Sequence, residues 1–115
     1  MIVYGLPQCS TTKKALQQLT ELGFNPTLID YREHPISFDQ LQDYIAKSGV
    51  AITKWFNTSG QAYRTQKEEL QQLSEADVIQ HLAVNPMLVK RPIMVSEKVV
   101  LVGIPKAGYA SLIRS

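Results

Sequence analysis

The first 31 residues constrain the fold most. Met1-Ile2-Val3-Tyr4 reads as a short apolar strand, Gly5-Leu6-Pro7-Gln8 breaks it, and an amphipathic helix follows over residues 10–22. Ala15, Leu16, Leu19 and Leu22 recur at helical spacing, so one stripe of that helix seeks a core, and Gly23 supplies a C-terminal stop. Phe24 to Tyr31 (FNPTLIDY) then alternates as a second strand. Strand, helix and returning strand make a βαβ unit, whose two strands run parallel.

The middle of the chain reads as helices. Ser37 is a candidate N-cap for a helix through Phe38, Leu41, Tyr44 and Ile45 that ends near Ser48-Gly49. Ile52 to Phe56 suits one further helical turn, Asn57-Thr58-Ser59-Gly60 a loop, Tyr63 to Leu73 a charged helix, and residues 74–84 a helix closed by Asn85-Pro86. After Pro92 the pattern returns to strands. Ile93-Met94-Val95 and Val99-Val100-Leu101-Val102 flank a short turn, which predicts an antiparallel hairpin, and Lys106 to Arg114 suits a last helix. The predicted class is α/β: a βαβ…ββα order with a helical insertion at about 34–86, forming a mixed four-stranded sheet within one domain spanning 1–115.

Composition excludes several function classes. With 115 residues, 44% hydrophobic, the chain can bury a core of its own. Twelve basic against ten acidic residues leave a net charge of +2, too mild to direct the chain to nucleic acid. No apolar run approaches the roughly 18 residues of a membrane span, and the N-terminus lacks a signal-peptide pattern. A single cysteine makes no internal disulfide, so a reducing cytoplasm is the expected setting, and a monomer is expected. His34 and His81 lack partners at metal-ligand spacing, so no metal is expected.

That cysteine, Cys9, falls between the first strand and the first helix. Unpaired amides and the helix dipole favour an anion there, and the thiolate is the reactive form of cysteine. The dipole contributes roughly 0.3–1 kcal/mol for a nearby charge, and an arginine brought close by the fold would add to it. A planar guanidinium also suits an oxyanion substrate, because it donates to two oxygens at once. Ser10, Thr11 and Thr12 could add donors around the sulfur, although Ser10 and Thr11 are equally well explained as helix caps. Trp55 and Phe56 read as core anchors of the helical insertion.

Four segments together carry a resemblance: Tyr4…Cys9-Ser10-Thr11-Thr12-Lys13-Lys14-Ala15; Phe56-Asn57-Thr58-Ser59-Gly60…Tyr63-Arg64; Asn85-Pro86-Met87-Leu88-Val89-Lys90-Arg91-Pro92-Ile93; and Val102-Gly103. The chain resembles the arsenate-reductase-like (ArsC/Spx/YffB) family, with its thioredoxin-like fold, over essentially its whole length. The resemblance implies that Cys9 is the nucleophile and Arg91 the arginine of an R-P motif. It makes Pro92 a cis proline facing the cysteine, and Arg64 the arginine that follows the N-T-x-G segment. In glutaredoxin-linked arsenate reductases the cysteine attacks arsenate, arginines bind the oxyanion, and glutathione with glutaredoxin resolves the adduct.

Three positions depart from those patterns. Gly5 stands where such reductases carry a histidine, no arginine occurs around Val102-Gly103-Ile104, and Thr12 replaces the second cysteine of the Spx C-x-x-C. The expected activity is a monothiol oxidoreductase acting on an oxyanion or a glutathione mixed disulfide. It binds no cofactor, and glutathione, glutaredoxin, thioredoxin or another external thiol completes its cycle. The alternative is an Spx-type regulator that binds the α-subunit of RNA polymerase.

Overall fold

A computed structural model describes residues 1–113. Strand β1 (Ile2–Gly5) lies inside a four-stranded sheet of order β2-β1-β3-β4, with β2 at Thr27–Asp30, β3 at Ile93–Val95 and β4 at Val100–Val102. β1 pairs parallel with β2 (Val3 opposite Leu28) and antiparallel with β3 (Val3 opposite Met94), and β3 pairs antiparallel with β4. Helix α1 (Ser10–Glu21) links β1 to β2. Helices α2 (Phe38–Ser48), α3 (Gln61–Leu70) and α4 (Glu75–Val84) come between β2 and β3. This is the thioredoxin-like mixed sheet, and among the described residues no helix is long and apolar enough to cross a membrane.

Side-chain alternation along the strands divides the core in two. Val3 and Met94 point to the face covered by α1, where they pack with Ala15, Leu19 and Tyr109. Their neighbours Tyr4 and Ile93 point the other way, into a larger cluster with Tyr31, Leu41, Trp55, Leu82 and Leu88. Helix α1 buries Thr12, Ala15 and Leu19, one stripe at a spacing of three and four. Its end is a Schellman turn: Gly23 sits at φ 93°, its N–H donates to Thr20 O, and Phe24 N–H reaches back to Leu19 O at 3.1 Å. Ser37 is the N-cap of helix α2 as expected, here in a capping box closed by Gln40, and the helix ends at Gly49 with φ 69°.

Two contacts tie the helical segment to the strand that follows it. Phe56 and Val89 form an isolated antiparallel bridge, with Asn57 N–H donating to Leu88 O and Lys90 N–H to Trp55 O, each at 2.8 Å. Trp55 is fully buried and donates its indole N–H to Ser48 Oγ at 3.3 Å. The loop between β1 and α1 is anchored by Thr12, also fully buried, whose Oγ1 accepts from Leu6 N–H at 3.4 Å.

The structure corrects the expected last helix. Residues 106–109 are turns, followed only by a 3₁₀ turn at Ala110–Ile113, and Arg114 lies outside the described residues. Gly108, at φ 72°, stands where an α-helix would need a negative φ. The predicted second strand is also shorter than FNPTLIDY. It begins only at Thr27, after Pro26, which has no N–H to offer a ladder.

Gly5 is packed too tightly to carry the histidine of the reductase pattern. A Cβ built there would stand 2.5 Å from Thr12 Oγ1 and 2.7 Å from its Cγ2. Thr12 is fully buried, so a Cβ at residue 5 forces Thr12 or the loop to shift. Gly5→Ala is therefore expected to lower stability by about 1–3 kcal/mol through overpacking, read from urea unfolding. An unchanged midpoint would show that the loop yields freely.

Candidate active site

Cys9 occupies the N-cap position of α1, with extended backbone at φ −75° and ψ 124°. Its carbonyl accepts from Lys13 N–H at 3.0 Å, and its own N–H is held by Leu6 O. No side-chain oxygen caps this helix, so Ser10 and Thr11, read as candidate caps, do not serve as such. Cys9 has their place because the break at Gly5–Gln8 ends one residue earlier than a serine cap would need. The sulfur therefore lies where a capping oxygen normally accepts from the first-turn amides.

That position changes the acidity of the thiol. Partial burial pushes the Cys9 pKa up. The Thr12 amide and hydroxyl, the Arg91 guanidinium and the Thr11 amide all favour the thiolate and outweigh it, bringing the pKa down to about 7. At neutral pH a large fraction of the sulfur is thus anionic. Arg91 and Cys9 support one another: burial disfavours the Arg91 cation, while the Tyr31 hydroxyl and the Cys9 thiolate raise its pKa above the ordinary arginine value.

A cleft of about 260 Å3 opens over the sulfur, lined by Cys9, Thr11, Phe56, Asn57, Thr58, Ser59, Lys90 and Arg91. One wall is the start of α1, another the Asn57–Ser59 turn, and the third the Lys90-Arg91 segment. The bridge between Phe56 and Val89 joins the last two walls. The Arg91–Pro92 peptide is cis, and Pro92, next in the chain to Arg91, is buried. A larger cleft between α2 and α4, of about 490 Å3, is lined by apolar and amide side chains with Glu75 as its one charge and contains none of these groups.

Of the residues singled out in the sequence, the structure brings Cys9, Thr11, Thr12 and Arg91 together, with Pro92 adjoining. Ser10 is exposed and does not line the cleft. Arg64 is not brought to it: it sits exposed on α3, whose buried residue is Leu70. Sequence reasoning overlooked Lys90, Asn57, Thr58 and Ser59 as cleft residues, although all four stand inside the quoted segments. It also missed Tyr31, for which strand alternation carried no signal. Tyr31 is fully buried, its hydroxyl donates to Val89 O at 2.9 Å, and Arg91 Nη1 donates to the same hydroxyl at 3.3 Å.

A thiol at a helix start and an arginine in the same cleft, followed by a cis proline, on a thioredoxin-like sheet define a class of cysteine-centred proteins. The ArsC family profile matches residues 4–112, and the chain belongs to that family. It is 39% identical over 102 residues to the uncharacterised protein YusI of Bacillus subtilis, covering 87% of this chain and 86% of that one. It is 29% identical over 94 residues to an arsenate reductase of Acidiphilium multivorum, covering 82% of this chain and 67% of that one. The crystal structure of an ArsC-family-related protein from Bacteroides fragilis superposes with a TM-score of 0.87 at 34% identity, covering 92% of this chain and 91% of that one.

Proposed function

We propose that this protein is a monothiol oxidoreductase that reduces an arsenate-like oxyanion or a glutathione mixed disulfide. The observation that carries this reading is Cys9 at the N-cap of α1, sharing a polar cleft with Thr11, Lys90 and Arg91. Relatives named arsenate reductases support the oxyanion as the substrate class. With an oxyanion of As(V), the thiolate displaces an oxygen, which leaves as water or hydroxide, and forms a Cys9–S–As bond. A thiolate from outside then attacks Cys9 sulfur. The As–S bond electrons stay on arsenic, which departs as As(III), and a mixed disulfide remains on Cys9. A second external thiol reduces that disulfide and regenerates Cys9. The chain has one cysteine, so every further thiol comes from outside, as glutathione, glutaredoxin or thioredoxin in a reducing compartment such as the cytoplasm. Arg91 and the exposed Lys90 supply the positive charge that receives the anion.

The test is the rate of Cys9 alkylation by iodoacetamide across pH, alone and with arsenate, phosphate, sulfate or oxidised glutathione. The rate is expected to rise with a midpoint near pH 7, and arsenate or oxidised glutathione to slow it. An ordinary thiol midpoint with no protection by any of the four refutes the proposal. Retention on immobilised RNA polymerase α-subunit, without such protection, would favour the regulatory reading instead.

A further inference from the structure

Tyr31 makes two hydrogen bonds to the Val89–Arg91 segment through one oxygen. An arginine only donates hydrogen bonds, so the bond from Arg91 Nη1 at 3.3 Å uses a lone pair of the phenol. The phenol proton is thereby left for Val89 O, at 2.9 Å. Both ends of this arrangement are tied to the sheet and core. Tyr31 N–H donates to Gly5 O at 3.2 Å at the end of β2, and Val89 sits in the bridge to Phe56. The ring itself is fully buried. Among the described residues no carboxylate forms an ion pair with Arg91; the ion pairs present are Arg32–Asp30, Lys47–Asp43 and His81–Glu69.

A long arginine side chain left free would sample many rotamers, and ordering it costs entropy at each binding event. A carboxylate would order it but would also cancel its charge. A neutral phenol orders it and leaves the charge available to the sulfur or to an incoming anion. We infer that Tyr31 is a positioning residue that holds the Arg91 guanidinium against Cys9 without neutralising it. The inference rests on the reading of Cys9 as the reactive thiol.

The experiment measures the apparent Cys9 pKa, by the pH dependence of alkylation, in the parent, Tyr31→Phe, Arg91→Ala and the double variant. Phenylalanine keeps the ring and its packing and removes only the oxygen. Tyr31→Phe is expected to raise the Cys9 pKa by roughly half a unit to one unit, slowing alkylation about three- to tenfold at pH 6. In the Arg91→Ala background the same change should produce no further shift, because the phenol acts only through Arg91. A merely structural role would lower the melting temperature and leave the pH profile alone, which overturns the inference. Should Tyr31→Phe fail to fold, the parent decides. A 15N spectrum at low temperature should resolve slowly rotating Arg91 Nη protons beside the averaged signal of the exposed Arg64, and an averaged Arg91 signal overturns the inference. A parent thiol titrating at its ordinary value would sink both this inference and the proposed activity. A parent titrating near 7 with Tyr31→Phe unchanged would sink this inference alone.

Discussion

Replacing Cys9 with serine is expected to reduce turnover by about three orders of magnitude or more, because the group that forms the covalent intermediate is gone. The measurement is arsenate-dependent oxidation of NADPH, coupled through glutaredoxin and glutathione to glutathione reductase, with intact mass reporting the mixed disulfide. The fold should survive the change. Cys9 is the N-cap of α1, and a serine oxygen is a better N-cap acceptor than a thiol, so the melting temperature should hold or rise at low pH. The stability difference should then move with pH. The Cys9 pKa is depressed in the folded state, so its contribution is fully present above the unfolded thiol pKa. It is lost as pH falls through about 7. Wild type should therefore gain on Cys9→Ser between pH 7 and pH 9, by at most about 2 kcal/mol once solvent screening of the partly exposed sulfur is allowed for. Wild-type turnover in Cys9→Ser with any candidate thiol would falsify the mechanism.

The second large effect belongs to Arg91. Arg91→Ala is expected to lower kcat/KM about a hundredfold, the size seen when a preorganised charge facing a developing anion is removed. Two losses combine. The thiolate loses its guanidinium neighbour, so the Cys9 pKa climbs and less of the sulfur is reactive at neutral pH. The anion loses a planar donor pair, which shows in KM. Arg91→Lys should restore part of the pKa shift and little of the KM, since an ammonium supplies charge without the fork. Lys90 remains in the cleft in both variants and sets the residual binding. A parental pH profile and KM in Arg91→Ala would show that Arg91 is a bystander.

The parts of the fold legible in the sequence are those whose signals are local. The apolar strand at residues 2–5, Ala15 and Leu19 of the α1 stripe, the glycine stop after α1 and the Ser37 N-cap each depend on residues within about two turns of one another. The C-terminal helix failed for an equally local reason, a glycine at positive φ inside the segment, which outweighed the apolar spacing around it. The cleft was only half legible. Two arginines stood out in the sequence as partners for Cys9; the charged run Tyr63 to Leu73 already made Arg64 the weaker of them, and Arg91, before a proline and a strand, the stronger. Arg91 precedes β3, which is hydrogen-bonded to β1, and β1 delivers Cys9, so sheet pairing brings the two together. Arg64 follows a loop on α3 with no strand to carry it to the site, and it remains in solvent.

By itself, then, the sequence determined a single thiol at the start of a helix, the parallel βαβ unit that places it there, and the absence of a second cysteine to pair with it. These follow from hydrogen-bonding needs and periodicities within short stretches of chain. Only the tertiary structure decided which cation meets the sulfur, that Thr12 leaves no room for a side chain at residue 5, and that a phenol 60 positions before Arg91 orients it. Contacts of that range depend on strand order and on the bridge between Phe56 and Val89, and no local pattern encodes either.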